Sequence, residues 1–189
     1  MSKKRTFATL LSATTLFVLA SCGGGAPASS SESSGTPAPA TGTKVYFAGP
    51  MFNAAEKDFN LKVTHLLEEF GYSVFLPQRD GIEAAKLEGK TEQELIEMIF
   101  PLDVQHVLEA EVLFMNIDGR VPDEGAAMEL GIAYQAGKRC YGFKTDTRSV
   151  EKNMDINPMI AGPMKKIFLN YDGDALMTEI REYLTHNKL

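Results

Sequence analysis

The chain has 189 residues, of which 44% are hydrophobic and 23% are charged, values typical of a globular protein. Its net charge is −6, and since residues 1–43 carry three basic side chains and one acidic one, residues 44–189 alone carry −8. An acidic segment without a basic stripe argues against a nucleic acid polymer as partner. The three histidines (His65, His106 and His186) lack the spacing of metal ligands, so we expect no metal site.

The first 43 residues predict an export signal followed by a tether. Residues 3–5 are basic, and residues 7–20 form an apolar stretch too short for a membrane-spanning helix. The Leu-Ala-Ser-Cys sequence ending at Cys22 resembles the lipobox of bacterial lipoproteins. This resemblance implies that residues 1–22 are a signal peptide, that Cys22 is lipidated and that the protein is exported and anchored to the cell membrane or envelope. The alternatives are an ordinary signal peptide and an uncleaved anchor.

Residues 23–43 consist almost wholly of Gly, Ala, Pro, Ser and Thr, a composition that predicts a flexible linker. The remaining 146 residues, 44–189, are long enough to form one domain with a sizeable core. If Cys22 is lipidated, Cys140 has no partner for an intramolecular disulfide. Cys140 lies in a predicted strand, where we expect it to fill space as a small apolar side chain.

The first part of this domain predicts strand, helix and strand. Residues 44–48 form an apolar strand, which Gly49 and the following proline end. Asn53 and Glu56 have the spacing of a capping box, so a helix begins there and continues to Gly71. Residues 72–76 predict the second strand.

The next segment predicts a polar connection and a divided helix. Residues 78–90 are polar and contain turn-forming residues. Thr91 and Glu94 form a second capping box, which starts a helix at residue 92. Pro101 is expected to interrupt this helix, so that a separate segment runs on to residue 109 with Asp103 in its first turn.

A strand, loop, helix and strand follow and make one parallel crossover unit. Residues 112–117 and 139–143 predict the two strands, and Pro122 suits the first position of the helix that Gly137 ends. Residues 145–162 show no clear periodicity. Residues 166–169 predict a last strand, and a final helix capped by Asp172 or Asp174 follows.

Strands that alternate with helices predict an α/β fold, a doubly wound parallel sheet of about five strands flanked by helices. We expect the flavodoxin-like strand order 2-1-3-4-5. In such sheets ligands bind beyond the carboxyl ends of the strands, so candidate functional residues are those that fall at this edge.

Three acidic residues, Asp103, Asp123 and Glu129, fall at or near this edge, and Tyr46 of the first strand can turn its hydroxyl toward them. Small residues at 125–127 let a ligand approach the backbone closely. Carboxylates with a tyrosine and no metal suit glycosyl transfer, in which one carboxylate attacks the sugar and another protonates the leaving group. Alternatively, the two aspartates stabilise helix starts, and Glu129 is solvated or pairs with a lysine.

Two sequence blocks carry a resemblance to a known family. VYFAGP at residues 45–50, Asp103 and PDEGAAMELG at residues 122–131 resemble the signature blocks of the nucleoside 2-deoxyribosyltransferases. The likeness extends from residue 44 to about residue 184. It implies a flavodoxin-like fold and transfer of 2-deoxyribose between nucleobases, without a cofactor, through a sugar ester on a glutamate.

The resemblance also implies roles for individual residues. Glu129 matches the nucleophile, Asp123 and Asp103 match the acids that contact and help to protonate the nucleobase, and Tyr46 matches the tyrosine that orients the nucleophile. Asn157 resembles an asparagine lent by a neighbouring subunit to bind the sugar. This implies at least a homodimer with shared active sites, acting on deoxynucleosides and free nucleobases.

Four further residues are expected at the substrate: Gly49, Phe52, Gly125 and Asp118. Asp118 has the alternative of pairing with Arg120. For the mechanism, Glu129 must be ionised while the acid beside the base keeps its proton, so we expect different pKa values for the two groups. Two other functions remain open: an N-glycosidase that hydrolyses nucleosides or their 5′-monophosphates, and a non-catalytic nucleoside-binding lipoprotein.

Overall fold

A computed structural model describes residues 42–82, 87–150 and 153–189, which form a parallel sheet flanked by helices. The strands are β1 (Lys44–Ala48), β2 (Ser73–Phe75), β3 (Val112–Asn116), β4 (Arg139–Lys144) and β5 (Met164–Leu169). The helices are α1 (Ala54–Glu69), α2 (Pro77–Asp80), α3 (Glu92–Glu109), α4 (Glu124–Gln135), α5 (Pro158–Ala161) and α6 (Gly173–His186).

All four strand pairings are parallel, and the strand order is β2-β1-β3-β4-β5. This order and the helices on the two faces confirm the predicted flavodoxin-like α/β fold. The predicted signal peptide, Cys22 and residues 23–41 of the predicted linker lie outside the described residues, so these interpretations and the domain boundary at residue 44 stay predictions. In the part of the chain that the structure describes, no helix is both long and apolar enough to cross a membrane.

The sheet separates two apolar layers, and the alternation of side chains along β1 shows how. Val45 and Phe47 pack into the layer beneath α1 and α6, whereas Tyr46 and Ala48 pack into the layer beneath α3 and α4. Because successive side chains of a strand point to opposite faces, this register fixes the layer that Tyr46 enters. Cys140 is fully buried in the second layer, as predicted, and burial raises the pKa of its thiol to about 11.

Local sequence signals place most helix ends. Both capping boxes are formed, by Asn53 with Glu56 and by Thr91 with Glu94. Gly71 follows α1 with φ +82°, a left-handed conformation that glycine adopts without a steric penalty. Asp172 caps α6 through two backbone amides.

The predicted break at Pro101 is wrong, because α3 is one helix from Glu92 to Glu109 with Pro101 inside it. Proline lacks the N–H that would bond the carbonyl of Glu97 four residues earlier. Glu97 is exposed, so water can satisfy that carbonyl and the helix continues. Asp103 consequently lies well inside a helix and not in a first turn.

Three smaller expectations also need correction. Helix α4 begins at Glu124 with Asp123 as its cap, so Pro122 precedes the cap and is not the first helical residue. The connection predicted over residues 78–90 contains most of the four-residue helix α2. A second short helix, α5, lies within the aperiodic stretch and begins after the capping residue Asn157. Helices of one turn are too short to show a period in the sequence.

Candidate active site

A cavity of about 330 Å³ opens between α3 and α4 near the carboxyl ends of β1 and β3. Its walls are mostly apolar, and three acidic residues line it: Asp103, Glu129 and the exposed Glu92 at the start of α3. Gly125 in the first turn of α4 also lines the cavity, and its predicted contact with a ligand stays a prediction. The apolar wall comes from both helices: Leu95, Ile96, Ile99, Phe100 and Val104 of α3, and Met128 and Ile132 of α4.

Glu129 lies in the second turn of α4 and faces the sheet. The hydroxyl of Tyr46, a wholly buried residue, donates a hydrogen bond of 2.7 Å to Glu129 Oε1. The two residues are 83 positions apart in the chain, so the contact depends on β1 and α4 packing together. Glu129 is thus neither solvated on an outer face nor paired with a lysine, which excludes both alternatives considered from the sequence.

The surroundings of Glu129 favour its neutral form. Burial, with smaller contributions from the negative charges of Asp103 and Asp123, raises the pKa of Glu129 to about 7. The Tyr46 hydrogen bond acts in the opposite direction, because it stabilises the carboxylate. Burial and the same three carboxylates raise the pKa of Tyr46 far above its usual range, so Tyr46 remains a hydrogen-bond donor.

Asp103 and Asp123 reach the same site from different helices. Asp103 extends from α3, and burial raises the pKa of its carboxyl, an effect that the nearby His106 opposes. Asp123 caps α4, since its Oδ1 accepts the N–H of Ala126 at 2.7 Å. The helix-start alternative therefore holds for Asp123 and fails for Asp103. Both aspartates are close enough to Glu129 to raise its pKa, but only Asp103 lines the cavity with it.

The structure does not give Glu129 and the aspartates the pKa values that were expected from the sequence. The mechanism needs an ionised Glu129 beside a protonated aspartate, yet Glu129 carries the pKa raised to about 7. The burial of Glu129 is the main cause, and the charges of both aspartates add to it.

Asp118 has a structural role in this chain. Its carboxylate accepts hydrogen bonds from the N–H of Thr145 at 2.6 Å, from the N–H of Asp146 at 2.9 Å and from the Thr145 hydroxyl. These bonds fasten the loop after β3 to the loop after β4. Asp118 therefore neither pairs with Arg120 nor faces the cavity that contains Glu129.

Asn157 lies away from Glu129 within this chain. Its Oδ1 accepts the N–H of Met159 and caps α5. It lines a second cavity, of about 490 Å³, together with Arg120, Pro122 and Arg148. Asn157 does not line the cavity of Glu129 in its own chain. Its predicted role, binding of the sugar, therefore needs a second subunit.

Gly49 and Phe52 belong to the loop that follows β1. A Cβ atom on Gly49 would lie 2.7 Å from the Cβ of Asn116, so this glycine allows the ends of β1 and β3 to approach. Phe52 is 78% exposed, and its N–H donates to Glu56 at the start of α1. Neither residue lines the cavity that contains Glu129, so their predicted contact with substrate stays a prediction.

Sequence reasoning missed the α3 wall of the cavity and a buried amide pair. The spacing of Ile96, Ile99, Phe100 and Val104 continues across Pro101 and was the available signal for one helix with an apolar face. Asn116 at the end of β3 donates to Asn60 of α1, which in turn donates to the carbonyl of Pro50 and to Gln78. No local pattern announces such a long-range polar pair.

Comparison with models of known families matches residues 45–164 to nucleoside 2-deoxyribosyltransferase. The chain belongs to this family. The matched segment contains all four residues of the candidate catalytic group: Tyr46, Asp103, Asp123 and Glu129. The family comprises glycosyl-transferring enzymes that act on nucleosides and nucleobases, which agrees with the class of reaction expected from the sequence.

Solved structures with the same fold include members of this family. A 2-deoxyribosyltransferase from the psychrotolerant bacterium Bacillus psychrosaccharolyticus is 26% identical, with a TM-score of 0.59 over 74% of this chain and 91% of that chain. A conserved protein from Enterococcus faecalis V583 is 25% identical, with a TM-score of 0.57 over 74% and 98%. A 2-deoxyribosyltransferase from Leishmania mexicana, 17% identical with a TM-score of 0.53 over 77% and 99%, shares the fold. Curated protein sequences give no significant match.

No group of three or more His, Cys, Asp or Glu side chains among residues 42–82, 87–150 and 153–189 is arranged to hold a metal ion. The candidate site consists of carboxylates, a phenol and apolar side chains. Such a set can attack a sugar carbon, donate a proton to a leaving base and bind the flat faces of bases.

Proposed function

We propose that this protein transfers 2-deoxyribose between nucleobases by a double displacement through a covalent ester on Glu129. The observation that carries the proposal is the hydrogen bond of 2.7 Å from the buried Tyr46 hydroxyl to Glu129, at the wall of an apolar cavity. A carboxylate placed there is costly unless it is used, and this tyrosine holds one oxygen in a fixed direction.

In the first step Glu129 attacks C1′ of a bound deoxynucleoside. Because the raised pKa lets Glu129 hold a proton, that proton must first move to Asp103 or Asp123. A bond then forms between the Glu129 carboxylate oxygen and C1′, the bond from C1′ to the base breaks, and the base leaves with the proton from the aspartate. In the second step another base attacks C1′, the ester bond breaks and the aspartate recovers the proton. Two inversions give net retention of configuration. Water in place of the second base would give hydrolysis.

The shape of the cavity supports a flat apolar ligand. The α3 wall offers Ile99 and Phe100 and the α4 wall offers Met128, while the acidic lining residues are Asp103, Glu129 and Glu92. An apolar cavity with a few convergent polar groups is the usual form of a small-molecule site. This arrangement favours an enzyme over a non-catalytic binding protein, since binding alone does not need an acid with a raised pKa.

The direct test incubates the purified protein with thymidine and adenine and looks for deoxyadenosine. We expect a new deoxynucleoside, and free deoxyribose as a minor product. Glu129→Ala should abolish both products, whereas Glu124→Ala, an exposed residue of the same helix, should leave them unchanged. Release of free sugar without exchange would favour the N-glycosidase alternative, and no reaction in the presence of a folded protein would contradict the proposal.

We propose further that two or more subunits share their sites, with Asn157 of one chain reaching the sugar bound in another. Asn157 keeps an amide N–H₂ free of its helix cap, because the capping bond uses Oδ1 only. Mixing a Glu129→Ala variant with an Asn157→Ala variant tests this proposal. Restored exchange in the mixture is expected if subunits share sites, and additive residual activity would refute it.

We propose also that the protein is exported and anchored through a lipid on Cys22, as the sequence of residues 1–22 indicates. Its substrates would then be extracellular deoxynucleosides and bases. Labelling of cells with a fatty acid precursor is expected to mark the wild-type protein and to leave Cys22→Ser unlabelled. An unlabelled wild-type protein would end this part of the proposal.

A further inference from the structure

The rings of Tyr46, Phe75 and His106 form a continuous stack. Tyr46 and Phe75 are register partners on the neighbouring strands β1 and β2, and their ring centroids are 5.7 Å apart with 21° between the planes. Phe75 in turn stacks on the imidazole of His106, with 3.7 Å between centroids and 16° between the planes. The stack therefore connects α3, through the edge strand β2, to the side chain that contacts Glu129.

The stack fixes the orientation of the Tyr46 ring, which determines the direction of its hydroxyl. The oxygen lies in the plane of its ring, so the direction from which it approaches Glu129 depends on how that ring is held. Offset stacked rings resist tilting, because their faces are in van der Waals contact over a wide area. Phe75 is in a strand of only three residues and is partly exposed, so the imidazole on its outer face is what keeps it against Tyr46.

His106 is otherwise unassigned in the proposed chemistry. It lies one turn after Asp103 on α3, beside a cavity of about 260 Å³ that is separate from the cavity containing Glu129. The ring of Phe75 lines this second cavity too. Both residues are therefore outside the reach of a substrate bound at Glu129, and any effect that they have on the reaction passes through Tyr46 or Asp103.

We propose that Phe75 and His106 are positioning residues, whose stacked rings hold the Tyr46 hydroxyl in the direction that Glu129 requires. The inference rests on the proposed function, since it assigns a role within the same site. It adds two residues that make no hydrogen bond to the reacting groups, although the charge of His106 acts on Asp103. Their effect is on the rate of the chemical step and not on substrate binding.

The first test removes one ring of the stack at a time. Phe75→Leu and His106→Ala should each lower kcat roughly tenfold with KM changed less than about twofold, because a displaced catalytic contact slows the chemical step. His106→Phe keeps a ring on Phe75 and should restore kcat to within about threefold of wild type. His65→Phe, at an exposed position on α1, is the matched control and should leave kcat unchanged.

A double variant separates positioning from general damage. Tyr46→Phe removes the hydroxyl and keeps the ring. If the stack acts through that hydroxyl, Phe75→Leu should lower kcat in the wild-type background and should have almost no further effect in the Tyr46→Phe background. An equal loss in both backgrounds, or full activity in Phe75→Leu, would overturn the proposal.

A measurement that does not depend on turnover separates this inference from the proposed function. The carboxyl titration of Glu129 is followed by ¹³C NMR and assigned with Glu129→Gln, and we expect its midpoint in the wild type near the pKa of about 7. Because the Tyr46 hydrogen bond stabilises the carboxylate, both Tyr46→Phe and Phe75→Leu should raise this midpoint by about one pH unit. A raised midpoint in both variants of a protein that has no exchange activity would refute the proposed function but would support the positioning role of the stack. An unchanged midpoint in Phe75→Leu, with a raised one in Tyr46→Phe, would refute the stack.

Discussion

At the scale of single residues, Glu129 is the group whose surroundings are most unlike water. Burial and two neighbouring aspartates oppose its ionisation, and one hydrogen bond from Tyr46 favours it. Removal of the ionisable group should therefore stabilise the fold, because functional groups are often held in positions that cost stability. The pH at which this happens follows from the direction of the pKa change.

We expect Glu129→Gln to raise the free energy of unfolding by about 3 kcal/mol near pH 8 and by much less near pH 5. The pKa of Glu129 is raised from 4.5 to about 7 in the folded state. The folded wild type is therefore favoured below the unfolded value and loses that stability as the pH rises through 7. Urea unfolding at the two pH values measures the difference. Glu124→Gln, at an exposed position, is the control, and an equal gain at both pH values would contradict the assignment.

Asp103 should control the pH at which Glu129 becomes active. Its negative charge raises the pKa of Glu129, so Asp103→Asn is expected to move the acid limb of the kcat/KM profile below its wild-type position near 7. The limb should keep its place in Asp58→Asn, which changes an exposed aspartate of α1. Steady-state rates of base exchange across the pH range provide the measurement. A limb that stays in place in Asp103→Asn would show that the two carboxyls are not coupled.

At the scale of elements, α3 is the helix that was predicted least accurately from the sequence. It also contributes most of the residues that line the cavity of Glu129. Its apolar residues form one wall of the cavity, and it carries both Asp103 and His106. The capping box at Thr91 predicts its start correctly, whereas the proline suggested a break. Proline rules describe isolated helices, and tertiary packing of α3 against α4 and β1 overrides the local preference.

Pro101→Ala is expected to stabilise α3. The substitution restores a backbone N–H that can bond the exposed carbonyl of Glu97, and the gain should be about 1–2 kcal/mol after the greater freedom of the unfolded chain is subtracted. Thermal or urea unfolding measures it, and base exchange should be unaffected. Loss of stability would contradict this expectation and would mean that α3 needs its proline.

A glycine at a strand end can be tested against a glycine on a helix surface as its control. Gly49→Ala would place a Cβ 2.7 Å from that of Asn116, so we expect it to cost about 1–3 kcal/mol. Gly131→Ala, on α4, meets no atom within 4 Å and should gain about 1 kcal/mol from the higher helix propensity of alanine. Unfolding free energies of the two variants should thus change in opposite directions. A neutral Gly49→Ala would contradict the close approach of β1 and β3.

At the scale of the whole molecule, the sequence predicts the frame of the fold and fewer of its contacts. Alternating strands and helices, two capping boxes and the glycine at 71 were enough for the strand order, since parallel crossovers allow few arrangements. The meeting of Tyr46 with Glu129 was expected because of the family resemblance, as no local pattern connects residues 83 positions apart. The stack on His106 and the position of Asp103 inside α3 depend on packing that local propensities do not encode.

The most direct test of the central claim is a mass measurement on the protein itself. The purified chain is mixed with thymidine in the absence of an acceptor base, quenched in acid within the first turnovers and digested for peptide mapping. We expect a mass increase equal to one deoxyribosyl group on the peptide that contains Glu129, lost again when adenine is added before the quench. Base exchange with no such adduct, or with the sugar on any other residue, would contradict the account.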